Sequence, residues 1–529
     1  MLVFIEKILK HRIEQMRKSE TAKEETTNTS KNVNTLIVSE RCQALLNLSL
    51  EINLLYAESK ISKRVKKMIN RLEVKMNNLF KNFVIASTEI EFDNILALAI
   101  VYFNLGCIYI DENVNLNAAK NYFMRCMELL NGKELHYKFI LIATYVLLQL
   151  HTIWTKLQQL ENCYSLLDKA LELYLSYTKE DDYPDPFYIF DYTVKKDKGI
   201  TKIILIKYHI LTLKYMEELY YHHPTDMHKF VVYVHDLLNT NLKTVKNSTD
   251  NDILIDWAEA SAHLSIYFLY SNRFKEAKSH LAAADYMTTI HYVCLTIDEN
   301  YAESYKNINK HDEIHIFIAK LWAIYGIMLL RSSKERLLQY ESNKSCEASN
   351  AESESHSKSD EELTKLLTFD DLETSSINIT RYRITDTYTF NLDDIKIIFG
   401  NVTRWLNLVH MYVQNRFISQ VQTILCMSKA YKYYVYFEVS KSKQVKIIKQ
   451  QVKFIEKFIN TLSSKYCTLI EYNYYKILHL ELAITYSTLL DIMTEELDEI
   501  EEVTDEMRIE IKQFVANIIR SFNLFTNIS

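Results

Sequence analysis

Only five glycines and three prolines occur in the 529 residues. That scarcity restricts the fold more than any other feature of the chain. Hairpin turns, sandwich corners and phosphate-cradling loops depend on backbone angles that glycine and proline supply. A large β protein or a doubly wound α/β protein needs many of both. Long helices joined by short polar loops do not. The chain is therefore read as all-α, and its 37 tyrosines fit as large helix-packing residues with a polar tip.

The bulk numbers narrow the class further. Apolar residues make up 48% and charged residues 25%, ordinary for a soluble globular chain. The net charge of −6 gives no reason to expect nucleic acid as a partner of the whole chain. The eight cysteines form no CxxC pair, which suggests reduced thiols in a cytosolic protein. Glu6, Lys7 and Lys10 interrupt any signal-peptide core at the N-terminus. Two uncharged runs, 95–110 and 139–154, fall short of the roughly 20 residues of a spanning helix. Asn104, Gln149 and His151 make them polar in places. Helices buried between neighbours are expected there, and no membrane insertion.

Four regions are expected. Residues 1–85 form an N-terminal helical region with a loose polar segment at 19–33. Residues 86–339 form a tetratricopeptide-like repeat subdomain. The segment 340–362, rich in Ser, Glu, Asn and Lys, cannot bury enough apolar surface to order itself and reads as a disordered linker. Residues 363–529 form a C-terminal helical subdomain with an amphipathic block, VKIIKQQVKFIEKFINTL, and an acidic stretch near its end.

Internal repeats set the architecture. A tetratricopeptide unit places small and large apolar residues at fixed points of two antiparallel helices, so that small residues allow close approach and large ones fill the gaps. Tyr102, Leu105, Gly106 and Tyr109, followed by Ala118 and Tyr122, fit this template. So do Leu147, Leu150, His151 and Trp154 with Cys163, Leu167 and Ala170, although His151 stands where a small residue belongs. Leu264, Ser265 and Phe268 with Ala277, Leu281 and Ala284 make a third. A degenerate fourth has Tyr208, Leu211, Thr212 and Tyr215, an enlarged loop through YYHHPTD, and a helix from about Lys229.

An enzyme reading competes for some residues. DDYPD (Asp181, Asp182, Asp185) and NDILIDWAE have the flavour of the magnesium-diphosphate motifs of all-α terpene cyclases. Pro184 and Pro186 put the first on a loop, and Ile255 stands where the second needs a hydroxyl. HDEIH (His311 to His315) lacks the Glu that a zinc protease has directly after its first His, and reads as a surface helix. No glycine-rich phosphate loop, GxSxG or Cys–His pair can be argued. No catalytic residue, cofactor or metal is expected, and a magnesium-dependent diphosphate enzyme stays a remote alternative.

Three stretches resemble the KIF-binding proteins, a family that binds kinesin motor domains. They are AIVYFNLGCIYIDENVNLNAAKNYFMRCMELL, QLHTIWTKLQQLENCYSLLDKALELY and DWAEASAHLSIYFLYSNRFKEAKSHLAAADYM. KAYKYYVYFE and the basic helix after it are similar. Family members continue with further helices after the acidic stretch, and against them this chain is expected to stop early. The resemblance implies an all-α, tetratricopeptide-like right-handed α-solenoid in two helical subdomains. It implies a cytoplasmic, cytoskeleton-associated monomer that grips the motor's microtubule-binding surface, blocks attachment and regulates transport and microtubule organisation in axons. The alternative within the same fold is a generic scaffold. A clamp for chaperone C-termini is disfavoured, since Phe103 and Cys107 occupy groove positions that would need Lys, Arg or Asn.

In such a solenoid the first helix of each pair lines the concave face. Positions not used for packing are then candidate partner contacts: His209 and Leu213, and Glu259, His263 and Ile266. Glu259 suits a basic track-binding face.

Overall fold

The computed structural model describes residues 1–24, 38–59, 63–84, 92–111, 115–180, 183–187, 200–248, 251–297, 301–346, 366–369, 372, 385–414, 416–462, 468–498 and 505–526. Among them are seventeen α-helices and no strand. In chain order these are α1 (Leu2–Glu24), α2 (Glu40–Ser59), α3 (Lys63–Val84), α4 (Phe92–Asp111), α5 (Leu116–Leu130) and α6 (Ile140–Lys156). Next come α7 (Glu161–Tyr177), α8 (Ile200–His222), α9 (His228–Lys246), α10 (Asn251–Tyr270), α11 (Phe274–Ile297) and α12 (Tyr301–Cys346). The last five are α13 (Leu392–Tyr412), α14 (Phe417–Val435), α15 (Lys441–Leu462), α16 (Leu469–Asp498) and α17 (Asp505–Thr526).

The chain divides into two compact units, residues 2–234 and 235–529, with the boundary inside α9. Each unit is a stack of helix pairs. In the first, α2 packs on α3, α4 on α5 and α6 on α7, and the even-numbered helices α2, α4, α6 and α8 also touch in succession. In the second, α10/α11, α12/α13, α14/α15 and α16/α17 are the pairs, and α10, α12, α14 and α16 touch in succession. One row of even-numbered helices backed by a row of odd-numbered ones is the arrangement of an α-solenoid. The α2/α3 pair extends the repeats into the region expected to precede them.

Local chemistry starts and stops these helices. The Asn115 side chain accepts from the Ala118 amide at 3.0 Å and caps α5. Asn391 does the same for α13, where Asp393 and Asp394 favour the positive end of the helix dipole. Gln158 and Asn272 take left-handed φ angles of 56° and 55° and turn the chain between α6 and α7 and between α10 and α11. Asn tolerates that region better than most residues. YYHHPTD is no enlarged loop. Tyr220 to His222 still belong to α8, and only His223 to Met227, containing one 3-10 turn, link it to α9.

The repeat residues pack as their sizes dictate. A Cβ on Gly106 would stand 2.7 Å from the ring of Phe123 on α5, so only glycine admits that helix contact. Leu264, Ser265, Phe268, Ala277, Leu281 and Ala284 are fully buried between α10 and α11. In the last two pairs Val421, Ile424, Val452, Ile455, Leu478 and Leu489 form a shared core, with Phe514 and Ile518 of α17 against it.

The helix α12 runs to Cys346, into the stretch expected as a linker, and 347–362 lie outside the described residues. Most of the loose segment at 19–33 also lies outside them, although α1 reaches Glu24. Among the described residues, three helices are long and apolar enough to cross a membrane, in Phe92–Ile110, Asn309–Tyr340 and Leu469–Glu495. Neighbouring helices bury 72%, 61% and 44% of their apolar windows.

Candidate partner-binding face

The five candidate contacts separate into two environments. On α10, Glu259, His263 and Ile266 are half-buried and fall at i, i+4 and i+7, one line along the helix. The same line ends at Tyr270, which is 60% exposed. The other sides of α10 are committed to packing. Ile255, Trp257, Ala258 and Ala262 are fully buried, and the Trp257 indole donates to the Leu238 carbonyl at 3.1 Å.

Glu259 and His263 stand 3.7 Å apart, one turn from each other. The His263 imidazole beside it holds the Glu259 carboxyl below its ordinary value, against the opposing effect of burial. Glu259 is therefore an anion at neutral pH. The His263 ring also lies on Phe317 of α12, with centroids 4.5 Å apart. The face thus offers a carboxylate, an imidazole supported by an aromatic ring, and the apolar side chains of Ile266 and Tyr270. That chemistry suits a basic, partly apolar protein surface.

His209 and Leu213 are not part of any open face. They are 1% and 0% exposed. His209 stacks on Tyr174 with ring centroids 3.6 Å apart, and its Nε2 lies 2.7 Å from the Tyr233 hydroxyl. Burial, with the Arg12 guanidinium of α1 adding to it, pushes the His209 imidazole down to about 3. Tyr174 of α7 and Tyr233 of α9 enclose the His209 ring, and α8 also carries α1. This helix packs on α8 and buries Leu2, Ile5, Leu9 and Ile13, while the Leu2 amide donates to Glu217 at 2.8 Å. A repeat template has no place for such an extra helix. The solvent line of α8 runs instead through Lys207, Lys214, Glu218 and Tyr221.

NDILIDWAE is helical from Asn251, not a loop leading into a helix. Asp256 is buried and bound by Lys310 at 2.7 Å, and Asp252 is exposed. Asp181 and Asp182 of the other acidic motif lie outside the described residues. HDEIH is no surface helix either. His311 is buried and its Nδ1 lies 3.4 Å from that of His291 on α11. No group of three metal-ligating side chains exists among the described residues.

The sequence reading missed the buried histidines as a class. His235 and His280 pair at 3.1 Å beside Phe369, and His151 stacks on Tyr215. Only His151, standing in a small-residue position, gave a signal.

Comparison with known proteins places this architecture. A family model described as KIF-1 binding protein C terminal matches residues 255–529. A KIF-binding protein of Danio rerio is 22% identical over 422 residues, covering 77% of this chain and 64% of the relative. One of Gallus gallus is 22% identical, covering 81% and 71%. One of Drosophila melanogaster is 26% identical over 215 residues, covering 39% and 34%. The chain thus spans about a third of the Drosophila relative and just under two-thirds of the Danio one. A solved circular tandem repeat protein is similar over 91% of the chain at 11% identity, but its TM-score of 0.25 is too low to speak to the fold.

Proposed function

The chain belongs to the KIF-binding protein family, and we propose that it binds kinesin motor domains and blocks their attachment to microtubules. The observation that supports this reading is the line of Glu259, His263 and Ile266, which lies inside the matched half of the chain and stays accessible while the rest of α10 is packed. Glu259 meets a basic track-binding surface, and Ile266 and Tyr270 supply apolar contact beside it. His209 and Leu213 act through packing and make no direct contact. The protein would work as a monomer in the cytoplasm beside the cytoskeleton and regulate kinesin-driven transport and microtubule organisation, including in axons. It needs no cofactor and performs no catalysis.

Microtubule co-sedimentation of a panel of kinesin motor domains tests this, with and without the purified chain, together with direct pull-down. Some motors are expected to bind the chain and leave the microtubule pellet. Glu259→Lys/His263→Ala is expected to weaken that binding at least tenfold, because it reverses charge at the centre of the face. If no motor binds a folded, helical protein, the inhibitor reading falls and a generic scaffold takes its place.

A further inference from the structure

The second unit carries a strong electrostatic asymmetry that motor binding through α10 does not use. Residues 392–462, which hold α13, α14 and α15, contain eleven lysines and arginines against four acids, a net +7. The whole chain is −6. The remainder is therefore −13. A basic block in an acidic chain marks a region whose partners differ from those of the rest.

The helix α15 concentrates this charge on one edge. Val445, Ile448, Val452, Ile455 and Ile459 are buried in the core shared with α14 and α16. Lys443, Lys446, Lys453 and Lys457 lie exposed on the opposite side. At 3.6 residues per turn the four fall within about 80° of one another and span about 21 Å of helix. The remaining lysines of α15 are already paired. Lys441 binds Glu495 of α16, and Lys449 binds Glu510 of α17 at 2.7 Å. Lys443 lies 3.7 Å from Glu438. Lys446, Lys453 and Lys457 have no acidic partner among the described residues.

We propose that the Lys443–Lys446–Lys453–Lys457 edge of α15 is a second docking site, for an acidic peptide segment of a partner protein. Charge complementarity carries the assignment, and the shape of the site refines it. The edge is narrow and straight, and an extended peptide of about six residues spans it. Lysines are point charges that accept carboxylates in many geometries, whereas recognition of nucleic-acid phosphates favours the planar fork of arginine. The exposed residues interleaved with the lysines are Ser442, Gln450 and Asn460, while the neighbouring Phe454 and Phe458 are half-buried against the core, so no fully exposed aromatic ring offers a base a stacking platform. A membrane surface is also a poor fit. Interfacial helices insert an apolar face, and that of α15 is already spent on the protein core.

The site is independent of the α10 face. It sits on an odd-numbered helix, the row opposite to the one that carries Glu259.

Fluorescence anisotropy of a labelled octaglutamate peptide, titrated with the full chain, tests the proposal. Binding is expected at low salt and is expected to weaken several-fold between about 50 and about 200 mM salt. Lys446→Glu/Lys453→Glu/Lys457→Glu is expected to weaken it at least tenfold. The milder triple change to Gln, which introduces no repulsion within α15, should fall between that variant and the wild type. Lys66→Glu/Lys67→Glu, an exposed pair on α3, should leave binding unchanged. Far-UV circular dichroism establishes that each variant stays helical, and if the Glu variant loses helix the Gln variant decides. Absence of peptide binding by the wild type overturns the proposal. So does an equal loss in the α3 control, or capture of anionic vesicles by the edge in place of the peptide.

Discussion

Gly106 and Gly400 are both helical glycines, and their neighbours give them opposite meanings. The space a Gly106 side chain would enter is filled by the buried Phe123 ring, with three of its atoms within 2.9 Å of the added carbon. Around Gly400 nothing lies within 4 Å. Gly106→Ala must push apart α4 and α5, and is expected to destabilise by about 1–3 kcal/mol. Gly400→Ala only removes backbone freedom from the unfolded chain, and is expected to stabilise by about 0.5–1 kcal/mol. Urea denaturation midpoints of the two variants check both signs. Gly106 was legible in the sequence because the repeat template demands a small residue there. The burial of His209 and Leu213 was not, because it depends on tertiary neighbours such as Tyr174 of α7 and Tyr233 of α9, which no local pattern encodes.

At the scale of the element, α10 shows what periodicity reveals and what it conceals. Its packing residues, Leu264, Ser265 and Phe268, and those of α11 were readable from spacing alone, as was the half-exposed line of Glu259, His263 and Ile266. The role of its acids was not. Asp256, inside the NDILIDWAE stretch that suggested a magnesium motif, is 1% exposed and bound by Lys310, a residue 54 positions away on α12. Only the tertiary stack brings them together. The pair ties α10 to α12 through a buried charge, which makes the junction sensitive to removal of one partner. Lys310→Met is expected to destabilise by about 2 kcal/mol, less than for a fully buried pair because Lys310 is 37% exposed. Asp256→Asn/Lys310→Met removes the stranded charge and is expected to recover more than half of that loss. Thermal melts of the two variants and wild type make the comparison. The HDEIH segment failed for the same reason as Asp256. Its histidine spacing suggested an open helix face, and the partner that buries His311 comes from α11.

For the whole molecule, the scarcity of glycine and proline was enough to predict an all-α chain, and the repeats were enough to predict stacked pairs. Neither revealed how many histidines the stack would trap in neutral form. Burial pushes His151 and His291 down to about 4, and His209 and His280 down to about 3. Two belong to the first unit and two to the second, so neither unit is exempt. A histidine whose folded value lies below its unfolded value of about 6.5 binds more protons once unfolded. Its contribution to stability is therefore complete above about pH 6.5 and is lost as the pH falls to the folded value, about pH 4 for His151 and His291 and about pH 3 for His209 and His280. At pH 5 these four residues alone should take up more than three protons on unfolding, a slope of about 4–5 kcal/mol per pH unit. Calorimetric unfolding in buffers of differing ionisation enthalpy measures that uptake directly. His151→Phe isolates one of the four. Neither ring nitrogen of His151 has a hydrogen-bond partner among the described residues, and its ring stacks on Tyr215, so a phenyl ring loses no bond seen there and keeps the stack. The variant is expected to take up about one proton fewer at pH 5. It should also gain about 2 kcal/mol relative to wild type between pH 7 and pH 5, when one titrating group is removed from the folded core. An unchanged proton uptake in His151→Phe would mean that the imidazole is already charged in the fold, and that burial is not what sets its protonation.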